Sequence, residues 1–189
     1  MNFALKPYAI SVQDYLDGEP QSLVRHEYLS GQVHAMAGSS ARHNRICLNI
    51  AFHLRAATRC TPCAVFISDM KLYIAHQDSF YYPDVMTTCH PLDTQSLYKE
   101  HPGLVAEVLS PSTDVIDRRE KLIAYRSLPS MCHYLIVWQD ECRIEWHNRD
   151  TQDRWGVTVL EGTGKMDIAL HDLLIPLSLA DVYEDINLP

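Results

Sequence analysis

No apolar run in these 189 residues approaches the roughly 20 that a membrane-spanning helix needs. The opening, MNFALKPYAISVQDYLDGEP, has no charged stretch leading into an apolar one, so no secretory signal is expected. Basic excess is missing too. The 16 Lys and Arg against 24 Asp and Glu leave a formal charge of −8, which argues against a large basic surface for nucleic acid. There is no internal repeat, no low-complexity tract and no linker. Only one CxxC occurs, Cys60-Thr61-Pro62-Cys63, and a zinc site usually needs a second close pair. A thioredoxin-type CxxC opens a helix after a strand, whereas this one follows a helix pattern and precedes a strand pattern. The 6 cysteines therefore read as reduced thiols of a cytoplasmic protein, most of them small buried side chains.

What is present suits one globular domain over residues 1–189, with 47% hydrophobic and 21% charged residues. Ile10 to Asp17 reads as a short helix stopped by Asp17-Gly18-Glu19-Pro20. Val24 to Leu29 and Gln32 to Met36 flank Ser30-Gly31 and predict a hairpin. Ser40 is an N-cap for a helix from Ala41 to about Arg59, where Ile46, Ile50 and Leu54 recur every four residues. Strands follow over Ala64 to Ile74 and Tyr81 to Thr88, then a polar loop over Leu92 to Pro102. Gly103 to Leu109 is the most apolar strand and is expected at the centre of a sheet. Ser112 or Thr113 caps a second helix over Asp114 to Leu128. His133 to Trp138 and Cys142 to Asn148 predict a second hairpin, and Trp155 to Leu160 another strand. Trp138, Trp146 and Trp155 fit strand packing. A break at Pro176-Leu177-Ser178 and a short helix over Leu179 to Tyr183 close the chain. This order predicts an α/β or α+β domain with a mixed sheet flanked by helices.

Two carboxylates sit where carboxylates are costly. Asp84 follows Pro83 at the head of an apolar run, and Glu107 lies inside Leu104-Val105-Ala106-Glu107-Val108-Leu109. An ionised carboxylate there must be paired or hold a metal. If the two strands are neighbours, both groups face one cation, and Lys121 on the following helix leans towards the half-buried side. Two acids and one lysine can bind a hard divalent cation and activate a water. Spacing alone leaves other readings open: a turn acid at Asp84, an arginine-paired acid at Glu107, an exposed pair of Lys121 with Asp117. Asp69, with Lys71 on the same strand face, is a further acid near the set.

Several strings extend the pattern. They are Glu107-Val108-Leu109-Ser110-Pro111-Ser112-Thr113 with Asp117 and Lys121 behind it, Tyr82-Pro83-Asp84, Glu27-Tyr28-x-x-Gly31, Met36-Ala37-Gly38 to His43-Asn44, Ser68-Asp69-Met70-Lys71, and Tyr125-Arg126-Ser127-Leu128. Together, from about Tyr15 to Asp185, the chain resembles the Uma-two family, a bacterial group abundant in cyanobacteria. That resemblance implies the PD-(D/E)XK restriction-endonuclease-like fold, here with an N-terminal hairpin and extra C-terminal strands. It implies a Mg- or Mn-dependent endonuclease acting on DNA, with Asp84 and Glu107 as metal ligands and Glu27 as an auxiliary acid. The common nuclease pattern puts lysine two residues after the second acid, where this chain has Leu109; by the resemblance Lys121 fills that role from the helix. His43, Arg42, Arg118 and Arg119 are candidates for touching a nucleic-acid backbone. Cutting two strands asks for two sites, so a homodimer is a candidate assembly. The competing readings are a catalytically inactive restriction-like domain that binds nucleic acid or a protein, and a small thiol–metal protein.

Overall fold

The structure, a computed structural model, describes residues 9–110 and 117–189. Helix α1 (Val12–Gly18) starts where Ser11 accepts a hydrogen bond from the Asp14 N–H at 3.1 Å. Strands β1 (His26–Leu29) and β2 (Gln32–Ala35) form the expected hairpin. Its turn places Ser30 at φ 47° and Gly31 at φ 93°. Positive φ at both central residues is the twist that a two-residue hairpin prefers. A Cβ on Gly31 would also come within 2.8 Å of the Ala9 Cβ. Helix α2 (Ala41–Ala57) is capped by Ser40 and buries Ile46, Ile50 and Leu54 completely.

The two long strands of the sequence reading are each broken in two. Ala64 to Ile74 becomes β3 (Ala64–Ile67) and β4 (Lys71–Ile74), with Ser68 in the left-handed region between them. Tyr81 to Thr88 becomes β5 (Ser79–Tyr81) and β6 (Val85–Thr88), interrupted at Tyr82-Pro83-Asp84. Pro83 has no N–H for a ladder. The breaks change the fold, because β4 and β5 belong to a different sheet from β3 and β6. Within the expected surface loop, Tyr98–Lys99 forms a short strand, β7, parallel to β4. The five-stranded sheet runs β2-β1-β5-β4-β7.

The larger sheet contains β8 (Leu104–Leu109), β9 (His133–Trp138), β10 (Arg143–Arg149) and β11 (Trp155–Glu161), in the order β11-β10-β9-β8-β6-β3. As expected, β8 is central and all six of its residues are buried. It pairs antiparallel with β6 and parallel with β9, a mixed sheet. A parallel neighbour demands a crossover, and the described part of it is a π-helical stretch, Asp117–Lys121, running into helix α3 (Leu122–Arg126). The expected start of that helix at Asp114 and its caps at Ser112 or Thr113 lie outside the described residues. Leu104, Ala106 and Val108 pack with Ile46, Ile50 and Leu54 of α2. Val105 and Leu109 pack on the other side with Tyr125 and Met131. Strand alternation sends Glu107 to that second side.

The tail is a third, two-stranded sheet, β12 (Lys165–Leu170) with β13 (Leu173–Ser178), followed by α4 (Leu179–Val182). Pro176 was expected to break the chain but lies inside β13. Among the described residues that strand pairs on one side only, so the missing N–H disrupts no second ladder there. The cysteine reading is also corrected. Cys63 and Cys89 form a disulfide, with Cα atoms 4.0 Å apart. The β3–β6 register, Ala64 opposite Thr88, brings them together one residue beyond the ladder. A separation of 26 residues hid this in the sequence.

His133 joins β9 to the tail. Its Nδ1 accepts the Trp146 indole N–H at 3.1 Å, and its Nε2 lies 2.9 Å from the Ala169 carbonyl oxygen and 3.1 Å from the Ala169 amide nitrogen. Burial lowers its pKa, and protonating Nδ1 would set two donors face to face. The folded pKa is therefore below the unfolded value of about 6.5, and the unfolded chain takes up the proton first as pH falls. Stability present above about pH 6.5 is lost on acidification below it. Thermal unfolding from neutral to mildly acidic pH should show Tm falling in the wild type and falling less in His133→Gln. Equal slopes would remove His133 from this account.

Candidate active site

The chain leaves the larger sheet at Ser68 to Met70 and returns to it at Tyr82 to Asp84. A pocket of about 370 Å³ lies at this junction, lined by both breaks, by β1 and the segment after β2, by the start of α2 and by β8. Each acid reaches it for a local reason. Tyr28 is buried against Tyr15 and Phe80, so alternation along β1 turns Glu27 the other way, into the pocket. The register Val85 opposite Ala106, carried one residue further, sets Asp84 across from Glu107.

Lys121 holds the centre of this arrangement. Its Nζ lies 3.1 Å from Glu27 Oε1 and 3.2 Å from Glu107 Oε1, with all three side chains largely buried. Tyr125, one turn further on, donates its hydroxyl to Glu107 Oε1 at 2.7 Å. Burial, then the charge of Glu107, pushes the Tyr125 hydroxyl well above its ordinary pKa, so it remains a donor. Lys121 also lies 6.0 Å from the centre of the Tyr81 ring, whose hydroxyl is pushed up to about 12, chiefly by burial. Asp84 Oδ2 accepts the Val108 N–H at 2.7 Å and lies 3.2 Å from His43 Nε2. His43 Nδ1 is 3.5 Å from Cys47 Sγ on the next turn of α2. Burial, reinforced by the charges of Asp84 and Glu107, raises the Cys47 thiol above its usual range.

Five of the residues singled out from the sequence thus line one pocket: Glu27, His43, Asp84, Glu107 and Lys121. His43 is buried, not solvated, and its own backbone N–H is taken by the Ser40 hydroxyl. Asp69 does not join them. It is exposed and paired with Arg25, while Lys71 is buried beside the Tyr82 ring. Arg42 pairs with Asp140, and Arg119 is exposed. The side chain of Arg118 lies outside the described residues. Sequence reading missed Cys47 and Tyr125. Both stand four residues after a flagged residue, His43 and Lys121, a spacing that puts side chains on one helix face.

Among the described residues the Lys121 ammonium lies within ion-pair distance of Glu27 and Glu107, and His43 lies within that distance of Asp84. Glu27 Oε1 is a buried oxygen that makes no directed hydrogen bond, although Lys121 lies within ion-pair distance. Carboxylate oxygens gathered at one pocket wall in this way fit a hard divalent cation. Asp84 and Glu107 would hold it, with Glu27 at their flank.

The mixed sheet and its crossover helix are those of the restriction-endonuclease-like fold. The chain belongs to the Uma2 family, described as "Putative restriction endonuclease", whose signature matches residues 12–179. It is 33% identical over 156 residues to "Uncharacterized protein sll1609" of Synechocystis sp. (strain ATCC 27184 / PCC 6803 / Kazusa), spanning 81% of this chain and 88% of that protein. "Uncharacterized protein slr1290" of the same strain is 30% identical over 160 residues, 84% of each chain. A crystal structure from Anabaena variabilis ATCC 29413, titled as a "putative nuclease", superposes with a TM-score of 0.72 over 92% of this chain and 97% of its own, at 13% identity. That likeness is one of fold.

Lys121→Met would leave Glu27 and Glu107 buried without their cation. A loss of about 3–5 kcal/mol is expected on urea unfolding, the usual cost of removing one partner of a buried pair. Lys121→Met combined with Glu107→Gln should recover part of it. A single variant as stable as the wild type would mean that the pair is not buried in solution.

Proposed function

We propose that this chain is a Mg²⁺- or Mn²⁺-dependent endonuclease that hydrolyses phosphodiester bonds in DNA. The observation that carries the reading is the meeting of Glu27, Asp84, Glu107 and Lys121, from four separate segments, around one pocket. Membership of a family described as "Putative restriction endonuclease" supports it. Asp84 and Glu107 are the metal ligands. When bound, the cation polarises a phosphoryl oxygen and lowers the pKa of its water. Asp84 is oriented by the Val108 N–H and by His43, so its carboxylate is held before any cation arrives. Tyr125 fixes one oxygen of Glu107 in the same way. Lys121 supplies a positive charge beside Glu27 and Glu107, where it can meet the scissile phosphate or orient the attacking water. Glu27 holds the Lys121 ammonium in place. Cleavage of both strands would use two copies of the chain.

Supercoiled-plasmid cleavage tests this. Nicking is expected with Mg²⁺ or Mn²⁺ and not with chelator. Asp84→Ala, Glu107→Ala and Lys121→Ala should each lower the rate by about 10²–10⁴-fold, with circular dichroism checking that each variant folds. Equal nicking by wild type and variants would sink the residue assignment. Metal and DNA binding that depend on Asp84 and Glu107, without cleavage of any substrate, would favour an inactive binding domain.

A further inference from the structure

The carboxylate site does not account for Cys47. This thiol is 5% exposed, lines the same pocket and lies in a cluster with His43 and Asp84. One ligand atom from each of the three lies within 4.8 Å of the others. Three features mark the cluster as more than a chance meeting. His43 and Cys47 are four residues apart on α2, so one helix face carries both donors. Asp84 Oδ2 is anchored by the Val108 N–H at 2.7 Å, the kind of outer bond that orients a ligating carboxylate. The cluster lines the wall of an open 370 Å³ pocket, which leaves room for water as a fourth ligand.

We propose that His43, Cys47 and Asp84 form a site for a borderline transition cation of the zinc type, sharing Asp84 with the carboxylate site. The donor set selects the metal class. Mg²⁺ takes oxygen ligands and keeps its waters, whereas one nitrogen, one sulfur and one oxygen suit Zn²⁺ or Co²⁺. A tetrahedral zinc with bonds of about 2.0–2.3 Å holds its donors about 3.4–3.6 Å apart. Closing the present cluster to that spacing takes a shift of about 1 Å, within reach of side-chain rotation at Cys47 and His43. On binding, the Cys47 S–H bond is replaced by a sulfur–metal bond and the proton leaves to bulk water. No electron is transferred. The inference builds on the cation-binding part of the function proposed above and does not need hydrolysis to occur. Its consequence is regulatory: a zinc ion held here occupies the Asp84 carboxylate, so zinc competes with the hard cation for that ligand.

The test is metal binding by the full-length protein without nucleic acid. Zn²⁺ is titrated against a chromophoric chelator, and Co²⁺ is titrated while thiolate-to-cobalt charge-transfer absorption is followed. One equivalent is expected to bind, with the charge-transfer band present. Cys47→Ser should abolish the band and weaken Zn²⁺ binding at least tenfold, and His43→Asn should weaken it similarly. Cys60→Ser, which removes the exposed thiol, should change neither. Both readouts unchanged in Cys47→Ser, or transferred to Cys60, would overturn the proposal, as would no stoichiometric binding by folded wild type. The outcomes also separate the two readings. Zinc binding through Cys47 in a protein that cuts nothing keeps this site and removes the nuclease; Mg²⁺-dependent cutting without such binding does the reverse.

Discussion

The ammonium of Lys121 between the carboxylates of Glu27 and Glu107 is the contact on which the site depends. Removing these groups from water costs several kcal/mol for each ion. That cost is met only if the hairpin, the central strand and the crossover helix all arrive together. Each brings one member, and none is stable in the low-dielectric interior without the others. Tyr125 adds a second constraint on the same helix, because its hydroxyl must reach Glu107. The π-helical stretch that ends at Lys121 lies immediately before α3, so the lysine and the tyrosine are delivered as a unit. The charged groups are thus also the connection between the two larger sheets.

A second constraint is the passage of the chain between those sheets. A continuous strand from Ala64 to Ile74 would have stayed in one ladder, and so would one from Tyr81 to Thr88. The left-handed Ser68 and the absent N–H of Pro83 end those ladders early. The small sheet is thereby hinged to the large one at two adjacent breaks, and the pocket forms where they meet. Asp84 stands at the second break. Its side chain takes the Val108 N–H just beyond the last β6–β8 pair, so one carboxylate oxygen continues the edge of the ladder. The Cys63–Cys89 disulfide clamps the far end of the same β3–β6 pair.

Much of this was legible in the chain. The apolar run around Glu107 announces a central strand, and the stripe of Ile46, Ile50 and Leu54 announces α2. The cost of removing Asp84 and Glu107 from water marks them as groups that must be paired or hold a cation. These are local signals, carried by hydrophobic period and by caps. Lys121 was legible more weakly, through its angular position on a helix whose start lies outside the described residues. What could not be read is what depends on partners far along the chain. The pairing of Arg42 with Asp140 and of Asp69 with Arg25 is of this kind. Cys63 pairs with Cys89 because two strand ends meet, not because of any motif. The expected break at Pro176 failed because strand position, edge or centre, decides whether a missing N–H matters.

The sequence by itself determined the long helix after Ser40, the central strand around Glu107, which faces are apolar and which acids are too costly to leave alone. Periodicity and desolvation act within a few residues, so they are written locally. Only the tertiary structure decided which acids share a pocket, that His43 and Cys47 turn towards Asp84, and that the chain changes sheets on either side of β4 and β5. Those outcomes depend on ladder register and on ion pairs between distant residues. A one-residue slip in register turns a side chain to the other face, and nothing within either strand alone states what lies opposite it.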